Sequence, residues 1–177
     1  MGLPPGTGTS SIVSSERVVA IVQARLGSVR LPGKVLSPVL GKPVLAHLVE
    51  RLSRADSIDE VVLAIPDTAA NNELAVLADE LRIGCFRGDE DDVLLRYSEA
   101  ASAAKAKVVV RITGDCPLVA PEVVDRVIFE LTNNRYDYIH TGKSFPKGFD
   151  VEAFTVEALQ RATLEAIEPY DREHVTL

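Results

Sequence analysis

Cysteine is scarce in this chain, with only Cys85 and Cys116 among 177 residues. The two lie far apart and form no C-x-x-C pair. That excludes a disulfide framework and a zinc knuckle, and it fits a reducing cytoplasm. Long apolar runs are missing as well. The longest are strand-sized, far short of the roughly 20 residues a membrane span needs, so no membrane association is expected. Basic residues are outnumbered, 19 Lys and Arg against 26 Asp and Glu, for a formal charge of −7. Non-specific nucleic-acid binding depends on neutralising phosphates, so no nucleic-acid partner is expected, although a small anion held by a few local cations is allowed. His47, His140 and His174 are widely spaced, show no metal-ligand pattern, and are expected in core or surface roles. No Ser/His/Asp or Cys/His arrangement supports a covalent nucleophile. Internal repeats are absent, and low complexity is confined to residues 1–16. That Gly-, Pro-, Ser- and Thr-rich stretch lacks the basic patch and long apolar segment of a signal peptide, and it reads as a disordered leader or tail.

What remains is ordinary for a globular protein, 46% apolar and 25% charged, with length enough for a single sizeable core over 17–177. Continuous β-branched runs at 18–22, 60–65 and 107–112 predict buried strands, and 84–86, 136–140 and 151–155 predict shorter ones. Between them lie helix-period segments. Residues 43–55 carry Val44, Leu45, Leu48, Val49 and Leu52 on one face, with Pro43 near the first turn. Residues 69–81, 91–104, 121–131 and 156–166 follow the same period, and another helix opens after Pro169. Strand and helix in steady rotation predict an α/β fold of three layers, with a mostly parallel sheet covered on both faces. Ligands of such sheets sit beyond the carboxyl ends of the strands. The segments after Val22 and Ile112 are therefore the ones to inspect.

The first is Gln23-Ala24-Arg25-Leu26-Gly27-Ser28-Val29-Arg30-Leu31-Pro32-Gly33-Lys34. Arg25, Arg30 and Lys34 concentrate positive charge there. Gly27, Ser28 and Gly33 let backbone amides approach an anion, and Pro32 stiffens the turn. The alternative is a solvated, mobile basic loop, but its place directly after a buried strand favours phosphate. It is not a P-loop, because Gly27 to Gly33 is one residue too long and Val35 stands where a hydroxyl is needed. The dinucleotide fingerprint G-x-G-x-x-G is absent too.

The pattern A-R-x-G-S-x-R-L-P-G-K resembles the signature loop of the sugar cytidylyltransferases. It is most similar to the cytidylyltransferase-like family named after spore-coat polysaccharide biosynthesis, and the likeness runs over nearly all of residues 18–177. The resemblance implies a Rossmann-like nucleotide-diphospho-sugar transferase fold. It implies transfer of CMP from CTP to a sugar, an acidic one for cell-surface polysaccharide, with release of pyrophosphate. It assigns Arg25, Arg30 and Lys34 to the triphosphate and Lys34 to charge at the α-phosphate in the transition state. Ala24, Gly27, Ser28 and Gly33 complete the expected nucleotide-binding loop. A homodimer is compatible with it. Family members run on past Leu177, where a later Asp contributes to the site, so the resemblance also implies a domain truncated at its C-terminus, whose own activity stays open.

The second segment is Arg111-Ile112-Thr113-Gly114-Asp115-Cys116-Pro117-Leu118. An Asp at the end of a buried strand is well placed to hold Mg²⁺ beside a phosphate, although Gly-Asp pairs more commonly satisfy turn amides. The resemblance favours metal binding by Asp115 and contact of Arg111 with the nucleotide. A third stretch, Gly148-Phe149-Asp150-Val151-Glu152-Ala153-Phe154, also belongs to the family pattern. If extended, it projects Asp150 and Glu152 from one face, for metal (Asp150), acceptor sugar (both), or merely a polar strand edge. The run Asp89-Glu90-Asp91-Asp92 is expected to cap the following helix, favoured by the helix dipole. Two rivals stay open. A nucleotide-sugar-dependent glycosyltransferase would normally show two acids at the strand end, where only Asp115 stands. A non-catalytic nucleotide-binding module would keep the loop without turnover.

Overall fold

A computed structural model of the chain describes residues 16–28, 31–142, 145, 146 and 148–176. The expected leader, except Glu16, and Arg30 of the basic loop lie outside the described residues.

Strand β1 (Val18–Gln23) is followed by a 3-10 turn (Lys34–Leu36), a small hairpin of β2 (Pro38–Val39) and β3 (Lys42–Pro43), and helix α1 (Val44–Leu52). Then come β4 (Glu60–Pro66), a 3-10 turn (Ala69–Asn71), α2 (Asn72–Glu80), β5 (Gly84–Gly88) and α3 (Val93–Ala103). The chain continues through β6 (Val108–Thr113), α4 (Pro121–Asn134), β7 (Tyr138–His140), β8 (Glu152–Thr155), α5 (Val156–Glu165) and α6 (Pro169–His174). The main sheet has six strands in the order β5-β4-β1-β6-β8-β7. β5, β4, β1 and β6 run parallel, and β8 opposes both its neighbours.

The period-2 geometry of β1 builds the layers. Val18, Ala20 and Val22 face one core with Leu45 and Leu48 of α1, Leu74 of α2 and Ile128 and Leu131 of α4. Val19 and Ile21 face the other, with Leu94, Tyr97 and Ala101 of α3 and Leu159 of α5. The result is the three-layer α/β/α arrangement expected. No helix among the described residues is long and apolar enough to cross a membrane.

Several boundaries differ from expectation for local reasons. The helix expected from residue 91 begins at Val93, because the Asp92 carboxylate caps it by accepting from the Leu95 amide at 2.9 Å. The cap is thus supplied by one member of the acidic run, as expected, while Asp89 accepts from the amides of Asp91 and Asp92 at 2.9 and 2.8 Å and orders the turn before it. The last strand starts at Glu152 instead of 151. Asp150 stays in the preceding turn, accepting from the Gly148 amide at 3.0 Å, so Asp150 and Glu152 do not project from one continuous strand.

The topology fixes where a site forms. From β1 the chain first builds outward through β4 and β5, then returns to place β6 on the other side of β1. The crevice at that reversal opens at the carboxyl ends of β1 and β6, where Gln23 pairs with Thr113.

Candidate active site

The basic loop leaves β1 at Gln23 and folds back on itself. The Leu26 carbonyl accepts from the amides of Ser28 and Gly33 at 2.9 and 3.0 Å. Gly33 sits at φ +68°, a left-handed conformation that favours glycine, and it turns the chain into the Lys34–Leu36 helical turn. Val35, almost fully buried, pins that turn to the core. On the other side the Leu26 amide donates to Asn71 Oδ1 at 3.0 Å, while Asn71 Nδ2 donates to Thr68 Oγ1 at 2.8 Å. Asn71 is buried and clamps the loop to the segment after β4, a role with no signal in local sequence.

Opposite this loop, β6 ends in Thr113-Gly114-Asp115. Gly114 donates its amide to the Gln23 carbonyl at 2.8 Å. A Cβ there would stand 2.9 Å from Gln23 O and 3.1 Å from Ala24 Cβ, so the two strand ends approach this closely only with glycine. Gly114→Ala is expected to destabilise the fold by about 1–3 kcal/mol through overpacking, read as a lower urea midpoint at unchanged m-value. An unchanged midpoint would mean that the strand ends separate at no cost.

That approach brings Lys34 and Asp115 together as an ion pair, Nζ to Oδ2. Burial pushes the Asp115 carboxyl up, but hydrogen bonds from Lys34 and Thr113 and the lysine charge outweigh it. Its pKa is held below the usual carboxylate range. Stability from this pairing is therefore present above the ordinary carboxylate pKa and is lost as pH falls through the lowered folded value.

The crevice encloses about 370 Å³ and is lined by Ala24, Arg25, Ser28, Lys34, Arg111 and Asp115 among the residues singled out from sequence. Gly27 and Gly33 shape the loop without lining the crevice. Arg111 also pairs with Glu152 at 2.9 Å and lies over the Tyr97 ring at 5.8 Å. Glu152 accepts from the Thr176 hydroxyl too, and it faces a second cavity of about 520 Å³ beside Tyr138, Phe154 and Leu159. Asp150 lines neither cavity. Its charge is nonetheless felt at Cys116. Burial raises that thiol, a hydrogen bond from Thr113 opposes it, and the carboxylates of Asp115 and Asp150 raise it further.

Other lining residues were given no site role in the sequence argument. Gln23 and Arg96 come from β1 and α3, and Glu173 and His174 from α6. His174 therefore lines the cleft, beyond the core or surface role expected of it. Arg172 fastens α6, its guanidinium pairing with Asp92 at 2.6 Å and donating to the carbonyls of Thr163 and Ala166 at 3.1 and 2.9 Å. Glu173 approaches Arg25 at 4.0 Å. Arg25, Lys34, Arg96 and Arg111 thus meet Asp115 and Glu173, four cations against two carboxylates, in a protein whose net charge is −7. Such a focus of positive charge suits a polyanion.

Comparison with known proteins agrees with this fold. A family model described as cytidylyltransferase matches residues 19–177. The chain is 35% identical over 117 residues to a 3-deoxy-manno-octulosonate cytidylyltransferase of Pelobacter propionicus, covering 66% of this chain and 45% of that protein. It is 34% identical over 165 residues to the spore coat polysaccharide biosynthesis protein SpsF of Bacillus subtilis, covering 90% of this chain and 68% of that one. A solved cytidylyltransferase from Leptospira borgpetersenii superposes with a TM-score of 0.87 at 30% identity, over 90% of this chain and 69% of the other. The chain spans about half to two thirds of the length of the curated relatives it matches. From loop, fold and likeness together, the chain belongs to the cytidylyltransferase family.

Proposed function

We propose that this chain holds CTP in the β1/β6 crevice and that the protein transfers CMP to the hydroxyl of an acidic sugar for cell-surface polysaccharide. The observation that carries this is the excess of cations around a crevice of ligand size at the switch point of the sheet. The sugar hydroxyl attacks the α-phosphorus in line. The bond from that phosphorus to the bridging oxygen breaks, pyrophosphate leaves with the electron pair, and the hydroxyl proton passes to solvent. This chemistry needs positioning and charge neutralisation more than a protein nucleophile.

Arg25 and Lys34, with Arg30, hold the triphosphate in this scheme, whereas the amides of Ser28 and Gly33 are spent on the Leu26 carbonyl and shape the loop instead. Lys34 meets the charge that develops at the α-phosphate. Asp115 pairs with Lys34, and Asp115 and Asp150 both act on the Cys116 thiol. Among the described residues no three His, Cys, Asp or Glu side chains cluster. One or two carboxylates suit Mg²⁺, which keeps several waters and takes its remaining oxygens from substrate phosphates. When bound, the metal would neutralise phosphate charge. Two free thiols fit a cytoplasmic enzyme.

The test is thermal stability of the purified chain with CTP, UTP, ATP or GTP, each with and without Mg²⁺. A ligand at a hundred times its Kd stabilises by roughly 2.7 kcal/mol. A shift selective for CTP and enhanced by Mg²⁺ is expected. No shift with any nucleotide overturns the proposal. CTP binding without pyrophosphate release on any acidic sugar reduces it to a nucleotide-binding module.

A further inference from the structure

Among the described residues, the cations that line the crevice are, apart from buried Arg96, each answered by a carboxylate. Lys34 pairs with Asp115, and Arg111 pairs with Glu152 at 2.9 Å. Arg25 has the loosest partner, Glu173 at 4.0 Å, with side chains 47% and 53% exposed. A pair so open to water is weak. It also joins the basic loop to α6, a part of the crevice wall that lies outside the sheet. Arg25 and Glu173 are the residues that the crevice shares with an adjoining cavity of about 310 Å³, lined further by Asp92, Ile167 and Arg172. The pair therefore stands between two spaces.

The way α6 is held suits movement. None of its six residues is buried, so it presents no apolar face to the core. Its main hold is Arg172, whose guanidinium meets Asp92 and the carbonyls of Thr163 and Ala166. Just past the helix the chain is strained. Val175 takes φ +69° and ψ −50°, and the Thr176 amide donates to the His174 carbonyl at 2.8 Å. That is a γ-turn of the rare, strained hand, and a β-branched residue is out of place in it. Val175 is nonetheless buried, in the core on the α3 side of the sheet. A polar staple at one point and a strained turn at the other leave α6 less firmly fixed than the helices that cover the sheet.

Resting on the nucleotide proposal above, we infer that α6 is a displaceable strap, latched to the basic loop by Glu173 and Arg25. Glu173 engages Arg25 in place of a phosphate. A polyphosphate brings oxygens that compete for the same guanidinium, and its charge repels the carboxylate that it replaces. Arg25 then turns to the phosphate, Glu173 withdraws, and α6 comes away from the crevice. A six-residue helix does not persist once it leaves the surface that holds it. Binding at the loop is thereby coupled to the release of a segment on the far side of the crevice, and the crevice joins the adjoining cavity.

The experiment joins calorimetric binding of inorganic pyrophosphate and CTP to hydrogen exchange of α6, on the wild-type chain, Glu173→Gln and Arg172→Gln. Glu173→Gln is expected to bind pyrophosphate about two- to fivefold tighter, the worth of one half-exposed ion pair. Arg172→Gln is expected to tighten it as well, although a cation has been removed, because the released helix takes Glu173 with it. In the wild type, pyrophosphate is expected to speed exchange of the Arg172 and Val175 amides several-fold, since their bonds to the Glu168 and Asp171 carbonyls belong to the strap. In Glu173→Gln those amides are expected to exchange as fast without pyrophosphate. Slowed or unchanged exchange on wild-type binding makes α6 a fixed wall and overturns the inference. So does weaker pyrophosphate binding in Arg172→Gln, the result of lost charge alone, or unchanged affinity in Glu173→Gln. A wild-type chain that binds neither pyrophosphate nor CTP overturns the nucleotide proposal itself, whereas one that binds both while α6 stays protected overturns only the strap.

Discussion

Lys34→Ala is expected to lower kcat for CTP-dependent pyrophosphate release by about 10²–10³-fold, the cost of removing one fixed group that meets transition-state charge. The lysine is set by its surroundings. Gly33 turns the chain into the short helical turn, Val35 anchors it, and Asp115 pairs with the ammonium from across the crevice. A group held this way needs little reorganisation when charge develops at the α-phosphate. Because Lys34 also holds the triphosphate in the ground state, KM rises as well and kcat/KM falls further than kcat. Removing the ammonium also releases Asp115 from its main opposing influence, so the carboxyl returns upward toward the ordinary range. Steady-state kinetics on the protein with CTP and an acidic sugar give the first quantity, and a carboxyl-carbon NMR titration gives the second. Near-normal kcat would remove Lys34 from the chemistry, and an unmoved carboxyl would remove the pair as the cause of the shift.

Arg111→Met is expected to cost about 1–3 kcal/mol of folding stability, because breaking one side of a half-buried, hydrogen-bonded pair leaves the other charge poorly compensated. The side chains of Arg111 and Glu152 are 12% and 21% exposed, so water does little to screen the change. Glu152 keeps the Thr176 hydroxyl but loses its counter-charge. The double variant with Glu152→Gln should recover much of the loss, and urea unfolding of the four species gives the coupling energy. Unchanged stability in Arg111→Met would show that water reaches the pair freely. Full recovery of stability in the double variant, with CTP binding still lost, would separate a role of Arg111 in holding nucleotide from its structural role.

Much of the framework was legible because it depends on local pattern. The β-branched runs could hide both faces only in a covered parallel sheet, and β1 distributes Val18, Ala20 and Val22 to one core and Val19 and Ile21 to the other. The basic loop stood out because its glycines and cations are contiguous. The β2/β3 hairpin was not, since two-residue strands carry no period. Nor was the turn that keeps Asp150 off β8. Arg96 did leave a trace. It falls on the apolar stripe of α3 with Val93, Tyr97 and Ala100, where a charged residue is out of place unless something answers it.

By itself, then, the sequence determined the alternation of strands and helices, the burial of the central sheet and the concentration of positive charge in the loop after β1. Each follows from residues within one or two turns or strands of one another. Only the tertiary structure decided that Gln23, Arg96, Asp115 and Glu173 share one crevice, that Asn71 anchors the loop, and that Glu152 answers Arg111 beside a second cavity. Those meetings depend on the order of the strands and on the reversal that sets β6 beside β1. Strand order is chosen by the packing of whole faces, so no short stretch of chain encodes it.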